Sequence, residues 1–277
     1  MTIELGRYGI WLHKEHLTPE LAKEVEALGF GTVWIGSSPS GGLALAEAMI
    51  AATDRLTVAT GIVNMWATPA AEAAASYHRI EAAYPGRFLL GVGIGHPEQS
   101  TEYRSPYTTI VEYLDELDAA EVPVERRVLA ALGPKVLQLA AERTAGAHPY
   151  LTTPEHTREA RAQLGAGVLL APEHKVVLDT DAERARSVGR PYVDHPYLHL
   201  RNYRSNLQRL GWASADLDDG GSDALIDALV AHGDAASIAA RLDQHLDAGA
   251  DHVIVQVIPG DNALPVLRQL APALGLR

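Results

Sequence analysis

The sequence predicts an α/β fold, a (β/α)8 TIM barrel with a helical insertion before the last strand. Three observations lead to it. The chain has 277 residues, close to the roughly 250 that a single barrel of this kind uses. Eight short apolar runs alternate with amphipathic helical stretches along the chain. Three of the helical stretches begin at the same dipeptide, Thr-Pro. We therefore expect one domain over residues 1–277.

The eight predicted strands are short and rich in apolar or β-branched residues. Several are apolar on both faces, as the buried strands of a parallel sheet are. Their ranges are 8–12, 32–36, 56–63, 87–94, 127–132, 147–151, 175–178 and 252–258. Eight such strands joined by helices favour a closed barrel. The alternative is a doubly wound open sheet with a helical appendage.

Helical periodicity fills the intervals between these strands. The predicted helices cover residues 18–28, 43–53, 69–83, 105–120, 133–145, 154–164, 181–211, 222–232, 234–248 and 261–274. Thr18, Thr68 and Thr153 each precede a proline at a helix start. Threonine is a good N-cap, and proline at the first helical position loses no useful donor. The helices at 222–232 and 234–248 belong to the insertion.

Charge and composition exclude several classes of partner. Lys and Arg number 23 against 35 Asp and Glu, which gives a net charge of −12. An acidic surface repels nucleic acid and anionic lipid, so we expect neither as a partner. The chain has no cysteine, which excludes disulfides and thiolate chemistry. The N-terminus lacks a signal pattern, and the uncharged stretch 56–71 is too short and polar to span a bilayer. We expect a cytoplasmic protein.

In a barrel of this kind the site lies where the strands end. Polar and glycine residues follow most of the predicted strands. They are His13 to His16, Ser37 and Ser38, Asn64 to Trp66, Gly93 to His96, Leu132 to Lys135, and Thr152 with Thr153. These segments hold the candidate functional residues.

Two glycine-containing turns raise the question of a nucleotide or phosphate. The run 91–95 has the wrong glycine spacing for the dinucleotide fingerprint and is followed by His96 and a proline. Gly133 opens a helix directly after a strand, where free backbone N–H groups favour a phosphate. An ordinary βα turn is the alternative at Gly133.

The chain has 12 histidines, which raises the question of a metal site. His13, His96 and His148 could supply three ligands at strand ends. Hydrogen-bonded histidines without a metal are the alternative. His195 and His199 lie four residues apart, but no acidic third ligand is obvious beside them.

A set of segments, in order along the chain, resembles the luciferase-like monooxygenase family. The matching segments are 29–36, 58–63, 84–93, 128–137, 140–142, 146–147 and 246–253. More narrowly, the sequence is similar to the F420-dependent oxidoreductase branch of that family. The resemblance implies a barrel that binds a deazaflavin, or alternatively FMN, at its C-terminal mouth and carries no metal. It also implies a non-prolyl cis peptide at Gly61–Ile62.

The resemblance further implies which residues contact the cofactor. The cofactor-binding residues it implies are Gly61, Ile62, Asn64, Gly93, Gly95, Leu132, Gly133, Thr152 and Thr153. Within this set, Leu132 and Gly133 match the backbone that holds the cofactor phosphate. Thr153 matches a later position on the phosphate side.

The sequence departs from the family after the second strand. Ser37 and Ser38 stand where many relatives have an acidic residue and a histidine that transfers a proton. Because imidazole titrates near neutrality, His96 and His13 become the candidate catalytic residues.

Substrate contacts are expected from the strand ends and from the insertion. Asn202 and Asn206 share one face of a predicted helix. If that helix covers the mouth, its residues meet the substrate. We therefore expect substrate contacts from Trp66, Tyr203 and Asn206. Tryptophans near the mouth make an apolar or planar substrate plausible.

The predicted function is that of an oxidoreductase that transfers a hydride between coenzyme F420 and a small organic substrate. The alternatives are an FMN-dependent luciferase-like monooxygenase, a metal-dependent barrel hydrolase, and a cofactor-binding protein without catalysis. Because related barrels commonly pair, we expect a homodimer.

Overall fold

The computed structural model describes residues 3–95 and 105–277 of the chain. Its strands all pair in parallel and are short. They are β1 (Tyr8–His13), β2 (Thr32–Gly36), β3 (Thr57–Gly61), β4 (Val63–Asn64), β5 (Phe88–Gly93), β6 (Arg127–Leu129), β7 (Gly146–Ala147), β8 (Leu169–Leu170), β9 (Glu173–Val177), β10 (Val230–His232) and β11 (Val253–Val257).

Helices follow most of these strands. They are α1 (Pro19–Ala27), α2 (Ala44–Ala52), α3 (Ala70–Ala83), α4 (Pro106–Ala119), α5 (Pro134–Arg143), α6 (Pro154–Leu164), α7 (Ala182–Asp194), α8 (Arg201–Arg209), α9 (Asp223–Leu229), α10 (Ala235–Asp247) and α11 (Ala263–Ala273). Among the described residues, no helix combines the length and the hydropathy that a membrane span requires.

The strands close into a barrel with eight strand positions. Two of these positions are each occupied by two successive short strands, β3 with β4 and β8 with β9. β8 pairs with β7, whereas β9 pairs with β11, which in turn pairs with β1. Only Ala171 and Pro172 separate β8 from β9. The Ala171 N–H donates to the Ala147 carbonyl at 2.9 Å, and the Pro172 carbonyl accepts from the Ile254 N–H at 2.9 Å. The predicted (β/α)8 barrel is confirmed.

The structure corrects the predicted elements at several places: β8 was not predicted, and β6 and β7 are shorter than the predicted strands 127–132 and 147–151. The predicted strand 56–63 is two strands that break at Ile62, because β4 pairs only with β5. The predicted helix 181–211 is two helices, and the break lies at a cis His195–Pro196 bond. His195 is extended, since a residue before proline avoids the helical region. The predicted helix 222–232 ends at Leu229, and the next three residues pair with β9 as β10.

Two of the three Thr-Pro helix starts behave as predicted. The Thr18 hydroxyl accepts from the Leu21 N–H at 3.1 Å, and the Thr153 hydroxyl accepts from the His156 N–H at 3.5 Å. The prediction is wrong for Thr68. The N-cap of α3 is Pro69, and no side chain caps that helix.

Buried side chains fill the bore of the barrel. Trp34 is fully buried and donates its indole N–H to His252 Nε2 at 3.1 Å. The ring of His148 lies 4.6 Å from the ring of Trp34. His252 in turn donates from Nδ1 to the Gly6 carbonyl at 2.7 Å. These three rings form the floor beneath the mouth.

Candidate active site

Two adjoining clefts open at the mouth of the barrel. The first, which we call the β3 cleft, has a volume of 300 Å³ and includes Gly61, Ile62 and Leu132 in its lining. The second, the β9 cleft, has a volume of 530 Å³ and includes Lys175 and Gln256. Five residues line both clefts and separate them. They are Trp11, Ser37, Tyr150, Pro196 and Tyr197.

Aromatic rings build the wall between the clefts. The ring centroids of Trp11 and Tyr150 are 5.5 Å apart, and those of Tyr150 and Tyr197 are 5.3 Å apart. The Trp11 indole N–H donates to the Gly61 carbonyl at 2.9 Å. The ring of Tyr203 extends this row edge-on, with its centroid 4.9 Å from that of Tyr197. The strand ends and the segment around the cis proline therefore share one aromatic partition.

The floor of the β3 cleft lies at the break between β3 and β4. The peptide bond Gly61–Ile62 is cis, as the family resemblance implies. A side chain at Gly93 would meet Ile62, since a Cβ there would lie 3.0 Å from Ile62 Cγ1. Gly93 does not line the cleft itself. It lies behind Ile62 and lets that residue sit against β5.

Asn64 and Gly95 form the next part of the β3 cleft. Asn64 Oδ1 accepts from the Trp66 N–H at 2.9 Å, which closes a tight turn after β4. Gly95 has a φ of +63°, and a Cβ there would lie 2.4 Å from Asn64 Nδ2. Both residues line the cleft. Trp66, predicted to contact the substrate, lines neither cleft.

The far end of the β3 cleft leads to the N-termini of α5 and α6. Leu132 lines the cleft, and its carbonyl accepts from His156 Nε2 at 2.9 Å. Gly133 is the N-cap of α5, with no side-chain cap and open space around it. The hydroxyl of Thr152 is buried without a hydrogen-bond partner. An anion beside Gly133 would find uncapped backbone N–H groups and a favourable helix dipole, although neither Gly133 nor Thr152 lines the cleft itself.

Helix α8 covers part of the mouth. Asn202 and Tyr203 line the β3 cleft, which fits the predicted substrate contact of Tyr203. Asn206 lies one turn further along, buried, and lines neither cleft. Its Oδ1 accepts from Arg209, and its Nδ2 has no partner. In this structure Asn206 is therefore away from both clefts.

His13 and His148, the two candidate ligands that lie within the described residues, line different clefts. His13 lines the β9 cleft, with Nδ1 3.7 Å from a carboxylate oxygen of Glu15. His148 lines the β3 cleft and donates from Nδ1 to the Ala171 carbonyl at 3.0 Å. Burial lowers the pKa of His148 to about 4, so its ring is neutral with Nε2 as an acceptor. His96 lies outside the described residues, and its catalytic role stays a prediction.

Within residues 3–95 and 105–277, one group of side chains has metal-ligand spacing. It consists of Asp194, His195 and His199, whose ligand atoms lie within 4.8 Å of one another. Asp194 is the acidic partner that was not obvious from the sequence. The two imidazole rings are stacked at 4.5 Å. Parallel rings do not direct their nitrogen lone pairs at one point, so this arrangement does not favour a shared ion.

A buried ion pair in β9 was missed by the sequence analysis. Lys175 Nζ lies 3.2 Å from Glu173 Oε1, and both side chains are at most 1% exposed. Glu173 Oε2 accepts from the Leu151 N–H at 2.9 Å. Burial raises the pKa of Glu173 and lowers that of Lys175, against their mutual attraction. The sequence pattern that could have indicated this pair is Glu-His-Lys at residues 173–175, because these charged residues lie in a strand that is buried on both faces.

Comparison with known proteins agrees with this geometry. Residues 15–121 match the family model described as luciferase-like monooxygenase. No sequence among the curated proteins matches the chain.

Solved structures share the fold over nearly the full length. An F420-dependent secondary alcohol dehydrogenase, in complex with an F420-acetone adduct, has a TM-score of 0.75 at 15% identity, with 97% of this chain and 98% of that one covered. The F420-dependent tetrahydromethanopterin reductase from Methanopyrus kandleri has a TM-score of 0.69 at 16% identity, with coverages of 97% and 99%.

A flavin enzyme is similar as well. The oxygenating constituent of 3,6-diketocamphane monooxygenase from Pseudomonas putida, in complex with FMN, has a TM-score of 0.67 at 14% identity, with coverages of 96% and 95%. At these identities the likeness establishes the fold. The resemblance found in the sequence is thereby confirmed: residues 15–121 match the luciferase-like monooxygenase model, and the chain shares its fold with F420- and flavin-dependent oxidoreductases of known structure.

Proposed function

We propose that the protein transfers a hydride between coenzyme F420 and a small organic substrate. The observation that carries this proposal is the shape of the β3 cleft. Its lining runs from Gly61 and Ile62 to Leu132, the residue before Gly133 at the uncapped N-terminus of α5. A planar ring with a phosphate-bearing tail needs both a slot and an anion site at its end.

The residues present fit such a cofactor. Gly61, Ile62, Asn64 and Gly95 would lie along the ring, while Gly93 supports Ile62 from behind. The chemistry that a bound deazaflavin would supply is hydride transfer. The chain orients the ring and excludes water from it.

The phosphate would lie at the helix starts. Gly133 and Thr152 would donate to it, beside the Leu132 carbonyl that His156 holds in place. Thr153 caps α6 with its own hydroxyl, so it contributes to the site through the position of that helix.

An FMN-dependent monooxygenase is the second candidate. The diketocamphane enzyme with this fold binds FMN, and the anion site at α5 suits a terminal phosphate of either cofactor. The preference for F420 rests on the resemblance of the third and fifth strand segments to F420-binding relatives and on the similarity to two F420-dependent enzymes.

Titration of the purified protein with F420 and with FMN tests the proposal. Trp11 lines both clefts, so its fluorescence should be quenched by a ring bound in the β3 cleft. The Trp11→Phe variant should lose most of the quenching signal, which assigns that signal to this tryptophan. We expect F420 to bind more tightly. FMN binding tenfold tighter, about 1.4 kcal/mol, would reverse the choice of cofactor.

Two further outcomes separate the remaining alternatives. Stoichiometric zinc or manganese in protein purified without added metal would favour the hydrolase. Tight cofactor binding with no turnover across a panel of alcohols, ketones and alkenes would favour a protein without catalysis.

A further inference from the structure

The ion pair Glu173–Lys175 occupies an unusual position. Among the ion pairs of the described residues, it alone has both side chains at most 1% exposed. A buried pair adds little to stability, because desolvation of two charges offsets most of their attraction. Such a pair beside a cleft is a candidate functional site. Lys175 lines the β9 cleft, which meets the β3 cleft at Trp11, Tyr150 and Tyr197.

Aromatic and polar groups surround this ammonium group. Nζ lies 4.0 Å from the ring centroid of Tyr150 and 5.5 Å from that of Tyr197. The Tyr150 hydroxyl donates to Gln256 Oε1 at 2.8 Å, which fixes the ring beside the lysine. An ammonium group has three N–H donors, and Glu173 accepts one of them.

We propose that Lys175 exchanges a proton with the reacting oxygen of the substrate, and that Glu173 is the positioning residue that holds it. This inference rests on the proposed hydride transfer. In the reducing direction the hydride forms a C–H bond at the carbonyl carbon, and the C=O π electrons move to oxygen. That oxygen takes a proton from Lys175 Nζ, which becomes a neutral amine and is reprotonated from solvent. Alcohol oxidation runs the same steps in reverse.

The charge balance of the pair selects the substrate class. Because Glu173 already neutralises Lys175, a carboxylate would bring a second, unpaired negative charge into a buried site. A neutral carbonyl or hydroxyl oxygen needs only a hydrogen bond. Trp11, Tyr150 and Tyr197 offer ring faces to the remainder of the substrate. The site therefore fits a neutral aryl ketone or aldehyde, or the corresponding alcohol.

Binding without cofactor provides the first test. Acetophenone and benzoate have similar size but differ in charge, and calorimetry measures both. We expect the unmodified protein to bind acetophenone at least tenfold more tightly. Lys175→Met should weaken acetophenone about tenfold or more, since a hydrogen bond from a charged donor is lost. The exposed Lys23→Met is the matched control and should change neither affinity.

Glu173→Gln separates a positioning role from a structural one. It leaves the lysine without its counter-charge, so benzoate should bind about tenfold more tightly while acetophenone changes little. A variant that merely loosened the fold would weaken both ligands. Unchanged acetophenone affinity in Lys175→Met, or no gain for benzoate in Glu173→Gln, overturns the inference.

The lysine itself can be observed by NMR. The chain has only four lysines, at positions 14, 23, 135 and 175, so 15N-labelled side-chain signals can be assigned by substitution. Acetophenone should shift the Lys175 signal and leave the other three in place. The groups that face Lys175 are Glu173, Tyr150, Tyr197 and the nearby His174. An unshifted Lys175 signal at saturating ketone contradicts the proposal.

Turnover distinguishes this inference from the proposed function. With F420 bound and an aryl ketone or alcohol as substrate, Lys175→Arg should keep ligand binding but lose roughly 100-fold or more in turnover, because arginine does not release its proton. A loss confined to His96→Ala would assign the proton to that histidine instead. Ketone binding at Lys175 without F420 binding would overturn the proposed function and the proton exchange with it, whereas F420-dependent turnover that Lys175→Arg leaves unchanged would overturn the role of Lys175 alone.

Discussion

Acidification from pH 7 to pH 5 should strongly destabilise this protein, because several buried imidazoles are neutral in the folded state. Burial lowers the pKa of His148 and of His252 to about 4 and that of His245 to about 3. In the unfolded chain each titrates near its ordinary value of about 6.5. The unfolded state therefore binds more protons throughout this interval, and the free energy of unfolding decreases as the pH falls.

The magnitude follows from these pKa values. Between pH 7 and pH 5 each of the three histidines removes about 1.8 kcal/mol, or about 5 kcal/mol together. This is a large share of the 5–15 kcal/mol typical of a folded domain. The pKa values of His156 and His174 are lowered by burial as well, so they act in the same direction.

Urea unfolding at half-unit pH intervals measures this effect. His148→Asn keeps a donor in the position of Nδ1 toward the Ala171 carbonyl but does not titrate. We expect its loss between pH 7 and pH 5 to be smaller by about 1.8 kcal/mol. His195→Gln, at an exposed position, should reproduce the parent. A free energy of unfolding that changes by less than about 1.5 kcal/mol over this interval in the parent would refute the assignment of neutral buried histidines.

Three further predictions concern the cofactor, the barrel and the assembly. Gly133→Val should weaken F420 binding at least tenfold, because the valine side chain occupies the open space at the start of α5. The control is Gly42→Val, at an equally open glycine, which should leave F420 binding unchanged in the same fluorescence titration. Gly91→Ala places a Cβ 1.8 Å from the Thr60 carbonyl oxygen, so it should lower the free energy of unfolding by roughly 2 kcal/mol or more; an unchanged urea midpoint would contradict the packing described for β5. Light scattering at micromolar concentration should give the mass of a homodimer, and a monomeric mass would disprove that expectation.

The order of the barrel strands was predictable because each buried strand carries its own local signature. Residues apolar on both faces, followed by a capped helix, identify a βα unit without knowledge of its neighbours. The cis bond at Pro196 was not predictable in this way, because the isomer of an X-Pro bond depends on tertiary contacts. The three residues of β10 continue an apolar helical pattern, and only pairing with β9 makes them a strand.

For a similar reason, the sequence predicted residues of the β3 cleft but missed the buried ion pair of the β9 cleft. The glycines and backbone turns of the β3 cleft follow one another within short segments, so a family pattern can identify them. Lys175, Tyr150 and Gln256 come from three separate strands or strand ends, and their contact depends on the closed ring. A lysine in a strand is ordinarily expected at the surface, and its burial becomes evident only when the structure shows Glu173 beside it.

The shared aromatic partition between the two clefts has an evolutionary consequence. The segment that matches the family model, residues 15–121, contains β2 to β5 and so supplies much of the β3 cleft. The β9 cleft is lined mainly from β1, β9, β11 and the segment around Pro196. Pro196 and Tyr197 line both clefts, and Asn202 and Tyr203 line the β3 cleft, so mutations in the insertion can remodel the two clefts together. Such a barrel can change both clefts through a single loop region, while the segment that matches the family model keeps its sequence.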